Sequence, residues 1–381
     1  MTLRMRKARD PAEEHRAATM LELFFDLVSV VAIAAAATGL HHTLAHGHVL
    51  EGVLKFIPAF TAIWWAWVNF TWYASAFDAD DAAHKIGAMV IMAGALIMAA
   101  GVPGFFENES MLLPLAGYVV MRLGLAFLFW RAASANDREW HATATRYGVG
   151  LVVLQVLWVA TYLTFDAPVA YGVFSLLFLC EFLLPTYAEA AKATPWHRHH
   201  IVERYFLLNI IVLGESLLAV SFALQAAYHG GHMDWSIAGL AAAGMVTVCA
   251  IWWLYFDEVH HLSLTTKTRG YTWVYGHIIL FASGAAIGAG LAVMVEVLEH
   301  KAHISLQIGI ASVAIPAALY LLGLWFIHGR FEHKGLQKFV LPLAAVLLLL
   351  TPFSSYGIYL IALVLVLTVI AKSSPDSTAH Q

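Results

Sequence analysis

Glu22, Asp26 and Ser29 stand at i, i+4 and i+7 of an apolar run that extends from Met20 to Ala34, so a helix through it presents two carboxylates and a hydroxyl on one face. A carboxylate in hydrocarbon costs roughly 2.5 to 3.5 kcal/mol even on lenient insertion scales, so two in one span call for partners or a water-filled path. Like charges one turn apart are expected to share a proton or hold a cation between them, which is chemistry for coupled movement of an ion. Ser29 on the same face would widen such a path.

Further polar residues fall inside apolar runs. Arg122, central in its run, should pair with an acid from another helix, the candidates being Glu22, Asp26, Glu181 and Glu215. Such a pair either fixes helix register or lines a path. Glu215 follows Gly214 at mid-run, where an unpartnered acid could exchange protons. Asn69 and Asn209 could coordinate a cation or hydrogen-bond between helices. His277 could relay protons or be a satisfied core histidine. Asp78, Asp80, Asp81 and Asp257 read either as a solvated cap or as a cytoplasmic cation vestibule. His42, His46, His48, His229 and His232 have spacings that metal sites use, but solvated loop histidines are the simpler reading, and no metal or cofactor is expected. Trp196 to His200 and the pair His260 and His261 are expected at the headgroups.

The elements that must carry these residues are membrane helices. Of 381 residues 61% are hydrophobic and only 12% charged, and membrane-length apolar runs recur from end to end. Windows of about 20 apolar residues place spans near 20–40, 52–76, 85–102, 111–130, 147–165, 168–187, 204–228, 235–256, 271–297, 304–328, 337–351 and 354–371. The pairs flanking Pro168 and Pro352 could instead be re-entrant hairpins. With this count Arg131, Arg138, Arg146, Lys192, Arg198, Lys267, Arg269, Arg330, Lys334, Lys338 and Lys372 all fall on one side, whereas the opposite loops hold Lys301, so both termini are expected in the cytoplasm. The basic start of the chain lacks a small-residue cleavage site and reads as a tail rather than a signal peptide. Cys180 and Cys249 lie inside spans without metal-type spacing.

An internal repeat is expected. Glu22-Leu-Phe-Phe-Asp-Leu27 is echoed by Glu203-Arg-Tyr-Phe-Leu-Leu208, Trp64 and Trp65 by Trp252 and Trp253, and the stretch from Gly94 to Gly101 by that from Gly284 to Gly290, at offsets between 181 and 190. The layout is then a tail (1–19), a six-span repeat (20–190), a linker (191–203), a second parallel six-span repeat (204–372) and a tail (373–381).

The segment from Leu21 to Ala34, the tryptophan-rich block from Trp64 to Asp81, Glu203 to Phe206, Ile211 to Ser216 and Trp252 to Asp257 together resemble the bacterial low temperature requirement A family over about residues 15–370. The resemblance implies a bacterial inner-membrane protein associated with growth in the cold; Ser29 departs from the phenylalanine usual there. A shorter likeness, in Glu22 to Asp26 and the helix after them, is to the six-span-repeat potassium channels of lysosomes and bacteria, in which that helix lines the pore. The second half, with Leu207 in place of an acid, departs from that pattern.

The sequence therefore predicts an all-α, polytopic bundle of about twelve spans that moves a small solute or ion along Glu22, Asp26, Ser29, Asn69, Arg122, Glu203, Asn209, Glu215 and His277. Motifs of soluble enzymes are absent, and the alternatives are a membrane-embedded enzyme acting on a lipid or polyprenyl phosphate, or a scaffold. The expected partners are the bilayer and the solute, not nucleic acid, with a homodimer left open.

Overall fold

Side-chain caps at Asp81 and Ser305 and a proline, Pro168, mark three of the helix starts. The computed structural model describes residues 16–134, 139–229, 232–259, 267–332 and 335–373. Arg138, His260, His261 and Lys334, invoked above, lie outside the described residues, as do most of both tails and the side chains of His229, His232, Lys267 and Arg269. The helices are α1 (Met20–Ala45), α2 (Val49–Phe77), α3 (Ala82–Phe106), α4 (Leu112–Ala133), α5 (His141–Thr164), α6 (Ala167–Glu189), α7 (Arg198–Ala227), α8 (Trp235–Val259), α9 (Lys267–Leu298), α10 (Leu306–Leu324), α11 (Val340–Leu350) and α12 (Gly357–Lys372). Two strands of two residues, Tyr228–His229 and His232–Met233, pair antiparallel between α7 and α8.

Eleven described helical segments are long and apolar enough to cross a membrane, the last being Gly335–Phe353, in which 3-10 turns extend α11 at both ends; α12, with 16 residues, is shorter. At 1.5 Å per residue it covers about 24 Å of a hydrocarbon core of about 30 Å. Pro168 opens α6 behind Asp166, and α5 and α6 are both long and apolar enough to cross a membrane. Around Pro352 the chain does break, with a 3-10 turn at Thr351–Phe353 joining α11 to α12. Carbons rather than polar groups face outward: Val149, Val153 and Val156 on α5 and Leu176, Leu179 and Leu183 on α6 are each about half exposed or more. Charges are buried instead, an inverted distribution that suits lipid as solvent.

The chain forms two compact units, one of Met1–Ala35 with Thr61–Leu208, the other of Ala36–Phe60 with Asn209–Gln381. In the first, α3 packs on α4, α4 on α5 and α5 on α6, around Trp64, Trp65, Trp67 and Phe25. The α3 and α4 backbones touch, for a Cβ at Gly94 would lie 2.7 Å from the Gly117 carbonyl oxygen. In the second, α9 packs on α10, α10 on α11 and α8 on α12, and Gly290 of α9 meets the Ser312 backbone of α10. Small residues at such crossings let helices approach closely in lipid.

Candidate functional site

Glu22 is not an acid stranded in hydrocarbon. It occupies the first turn of α1, where the Thr19 amide donates to its Oε2 (2.7 Å) and its own amide donates to Thr19 Oγ1 (3.3 Å). This is a capping box, which satisfies two helix-end donors. Glu22 Oε1 is turned toward His200 Nε2, 2.9 Å away, and both side chains are fully buried.

One turn deeper, Asp26 Oδ1 accepts from Trp67 Nε1 (2.6 Å) and from Arg204 Nη2 (2.5 Å). The Arg204 guanidinium also reaches Thr71 Oγ1 (3.5 Å) and lies 5.9 Å from the centre of the Trp67 ring. His200 and Arg204 are four residues apart on α7, the same step that separates Glu22 and Asp26 on α1. Two acids on one helix face thus meet two bases on another, and the α2 residues Ser75, Thr71 and Trp67 continue alongside at the same interval. At the outer end of this ladder Arg16 Nη2 donates to the Ala74 carbonyl (2.7 Å), and the His197 amide donates to Ser75 Oγ (2.9 Å).

The ladder is incompletely satisfied. Asp26 Oδ2, Arg204 Nε and Nη1 and His200 Nδ1 are buried without a hydrogen-bond partner among the described residues. Buried polar atoms normally find partners, so this spare capacity points to water or a solute.

A second buried cluster lies at the centre of α4, where Arg122 pairs with Glu181 of α6. Of the four acids the sequence offered Arg122, Glu181 is the one it meets. Gln155 Nε2 of α5 donates to Glu181 Oε1 (3.1 Å), and the Tyr118 ring centre lies 5.6 Å from the Arg122 guanidinium carbon.

The other predicted residues behave differently. Ser29 Oγ donates to the Phe25 carbonyl (2.8 Å) and Asn69 Nδ2 to the Trp65 carbonyl (2.8 Å), both bonds within one helix, so Asn69 does not use its amide hydrogen there to bridge helices. Glu203 accepts from the Ala18 amide (3.2 Å) while its neighbour Arg204 enters the ladder. In the second unit Asn209 Oδ1 accepts from Tyr320 (2.9 Å), and His277 lies fully buried between the Tyr255 hydroxyl (3.0 Å) and the Trp273 carbonyl (2.7 Å). That is a core histidine with both ring nitrogens engaged. Glu215 is half-buried, and its carboxylate has no partner among the described residues.

Asp78 is no solvated cap, being 7% exposed and 3.5 Å from His84 Nε2. Asp81 caps α3, accepting from the His84 amide (2.8 Å) and from Arg131 Nη2 (2.5 Å). Partial burial pushes its carboxyl up, but the amide and the guanidinium outweigh that and hold it below the usual carboxylate range. Asp257 is exposed near the end of α8. His197 and His200, expected at the headgroups, are buried, because they serve Ser75 and Glu22.

Among the histidines predicted as weak metal candidates, His42 joins His41 and Glu296 in a group whose ligand atoms lie within 4.8 Å of one another. The His46 ring lies 5.9 Å from that of His303, tilted by 37°, and His48 is exposed. The second unit also holds an open groove of about 880 Å³ lined by Asp234, Trp235, Glu299, His300 and Lys301.

The family described as bacterial low temperature requirement A protein matches residues 17–373. An uncharacterized protein of Rhizobium meliloti (strain 1021) is 24% identical over 277 residues, 68% of this chain and 65% of that protein, so the similarity spans just under two thirds of the relative's length. No solved structure matches.

Proposed function

The chain belongs to the bacterial low temperature requirement A protein family and is a multi-pass integral membrane protein, and we propose that it moves a small solute or ion across the bacterial inner membrane, coupled to a proton or cation. The observation that carries this reading is the buried ladder of Glu22 with His200 and Asp26 with Arg204, whose spare polar atoms lie inside the bundle. Histidine facing a carboxylate is a pair whose charge changes with one proton, and buried ionisable groups in membrane helices are by default functional. Asp26 with Arg204 then sets the field in which that proton moves. Both termini are cytoplasmic in this reading, on the side that collects lysine and arginine.

His200→Gln gives the test, because Glu22 keeps its capping box and the helix its start. In proteoliposomes carrying a pH-sensitive dye, the wild type should dissipate an imposed pH gradient faster than empty vesicles, and His200→Gln, reconstituted as folded protein in equal amount, should remove most of that difference. Equal dissipation by wild type, variant and empty vesicles would leave the ladder a device for fixing helix register, a reading the capping box favours.

A further inference from the structure

At the end of α1 opposite Glu22, His41 and His42 stack with ring centres 4.8 Å apart, and Glu296 of α9 brings Oε1 to 2.9 Å from His41 Nε2. His41 Nε2 is buried, and no neighbour meets the geometry of a hydrogen bond to it among the described residues, so its lone pair is available to a metal that the carboxylate could share. We propose that His41, His42 and Glu296 form a site for a first-row divalent transition metal, with Zn²⁺ as its representative.

The donor set suits that ion. Two imidazoles and one carboxylate, with a fourth position left to water, are a known tetrahedral zinc combination, and three protein ligands make an exchangeable site rather than a closed structural one. Bonds of about 2.0 to 2.1 Å place tetrahedral ligand atoms roughly 3.4 Å apart, and the atoms here lie within 4.8 Å of one another. The remaining contraction falls to His42, whose side chain is exposed and can turn. The surroundings hold the frame in place. The His303 amide donates to the Ala45 carbonyl (2.7 Å), tying the loop before α10 to the end of α1, where His46 Nδ1 contacts the His42 carbonyl (2.7 Å). Such outer contacts orient metal ligands. The sequence did not single out this trio, because Glu296 lies some 255 residues from the histidines and only the fold joins them.

The site stands independently of transport, so its test is binding. The full chain in nanodiscs, stripped with a chelator, should take up one tightly held Zn²⁺ in competition with a chromophoric chelator, and Co²⁺ in its place should show the intense visible bands of low-coordinate cobalt. His42→Ala and Glu296→Gln should each weaken binding at least about tenfold, while His48→Ala, an exposed histidine outside the trio, should change it less than about twofold. These variants spare the half-buried His41, so unfolding does not confuse the result. Absence of a stoichiometric site, or equal loss with His48→Ala, would overturn the assignment.

Discussion

Arg204 of α7 reaches 178 positions back along the chain to put Nη2 2.5 Å from Asp26 Oδ1, with Trp67 Nε1 on the same oxygen at 2.6 Å. Both charged side chains are fully buried. The pair changes what a substitution at Asp26 should do, because the amide of asparagine would keep the shape but leave a guanidinium uncompensated inside the bundle.

Asp26→Asn and Arg204→Gln should therefore each destabilise the protein by about 3 to 5 kcal/mol, the loss seen when one member of a buried pair is removed. The double variant should lose less than the sum of the two, with a coupling of about 0.5 to 3 kcal/mol. Reversible unfolding in mixed micelles measures all three; additive losses would show that the contact carries no energy.

Arg122 and Glu181 give a similar pair at mid-membrane, joined by Gln155. Glu181→Gln should lower stability by about 3 to 5 kcal/mol. Lys85→Ala should leave it nearly unchanged, since the Lys85 contact with Asp80 lies at the surface. Similar melting temperatures for the two variants would contradict a buried clamp.

The class of fold was legible because hydropathy alone fixes a membrane helix, and eleven of twelve expected spans have membrane length. The twelfth fell short because, after the turn at Pro352, the helix restarts only at Gly357 and ends at Lys372. The acids of the ladder were legible and their bases were not. His200 and Arg204 sit beside Trp196 in a run that looks interfacial by composition, and burial by tertiary contact leaves no periodic trace. The matching four-residue step in Glu22 and Asp26 and in His200 and Arg204 was the available signal. Glu22 misled through its position, since a glutamate three residues after Thr19 is also a capping box.

Glycine contacts between α3 and α4 offer a packing test. A side chain at Gly117 would strike the Met98 backbone. Gly117→Leu should cost about 1 to 3 kcal/mol or more through overpacking, whereas Gly172→Ala on α6, with nothing within 4 Å of its added carbon, should raise stability by about 0.5 to 1 kcal/mol. Thermal unfolding in detergent separates the two; destabilisation of equal size would remove the case for a close α3 and α4 crossing.

Asp81 carries the acid dependence that can be assigned outside the membrane. Partial burial raises its carboxyl, yet the His84 amide and Arg131 hold the folded value below the ordinary one of about 3.9. A group lowered by folding contributes stability that is fully present above the unfolded value and is lost as the pH falls through the folded one. The window is thus below about pH 4. Asp81→Asn keeps a good helix cap but loses the charge that faces Arg131. Because the Asp81 side chain is 36% exposed, solvent screening limits the loss to at most about 1 kcal/mol at pH 7. The gap in melting temperature between wild type and variant in nonionic detergent should hold above about pH 4 and narrow as the pH falls below it, and a gap that widens toward acid would mean that the carboxylate is not stabilised by these partners.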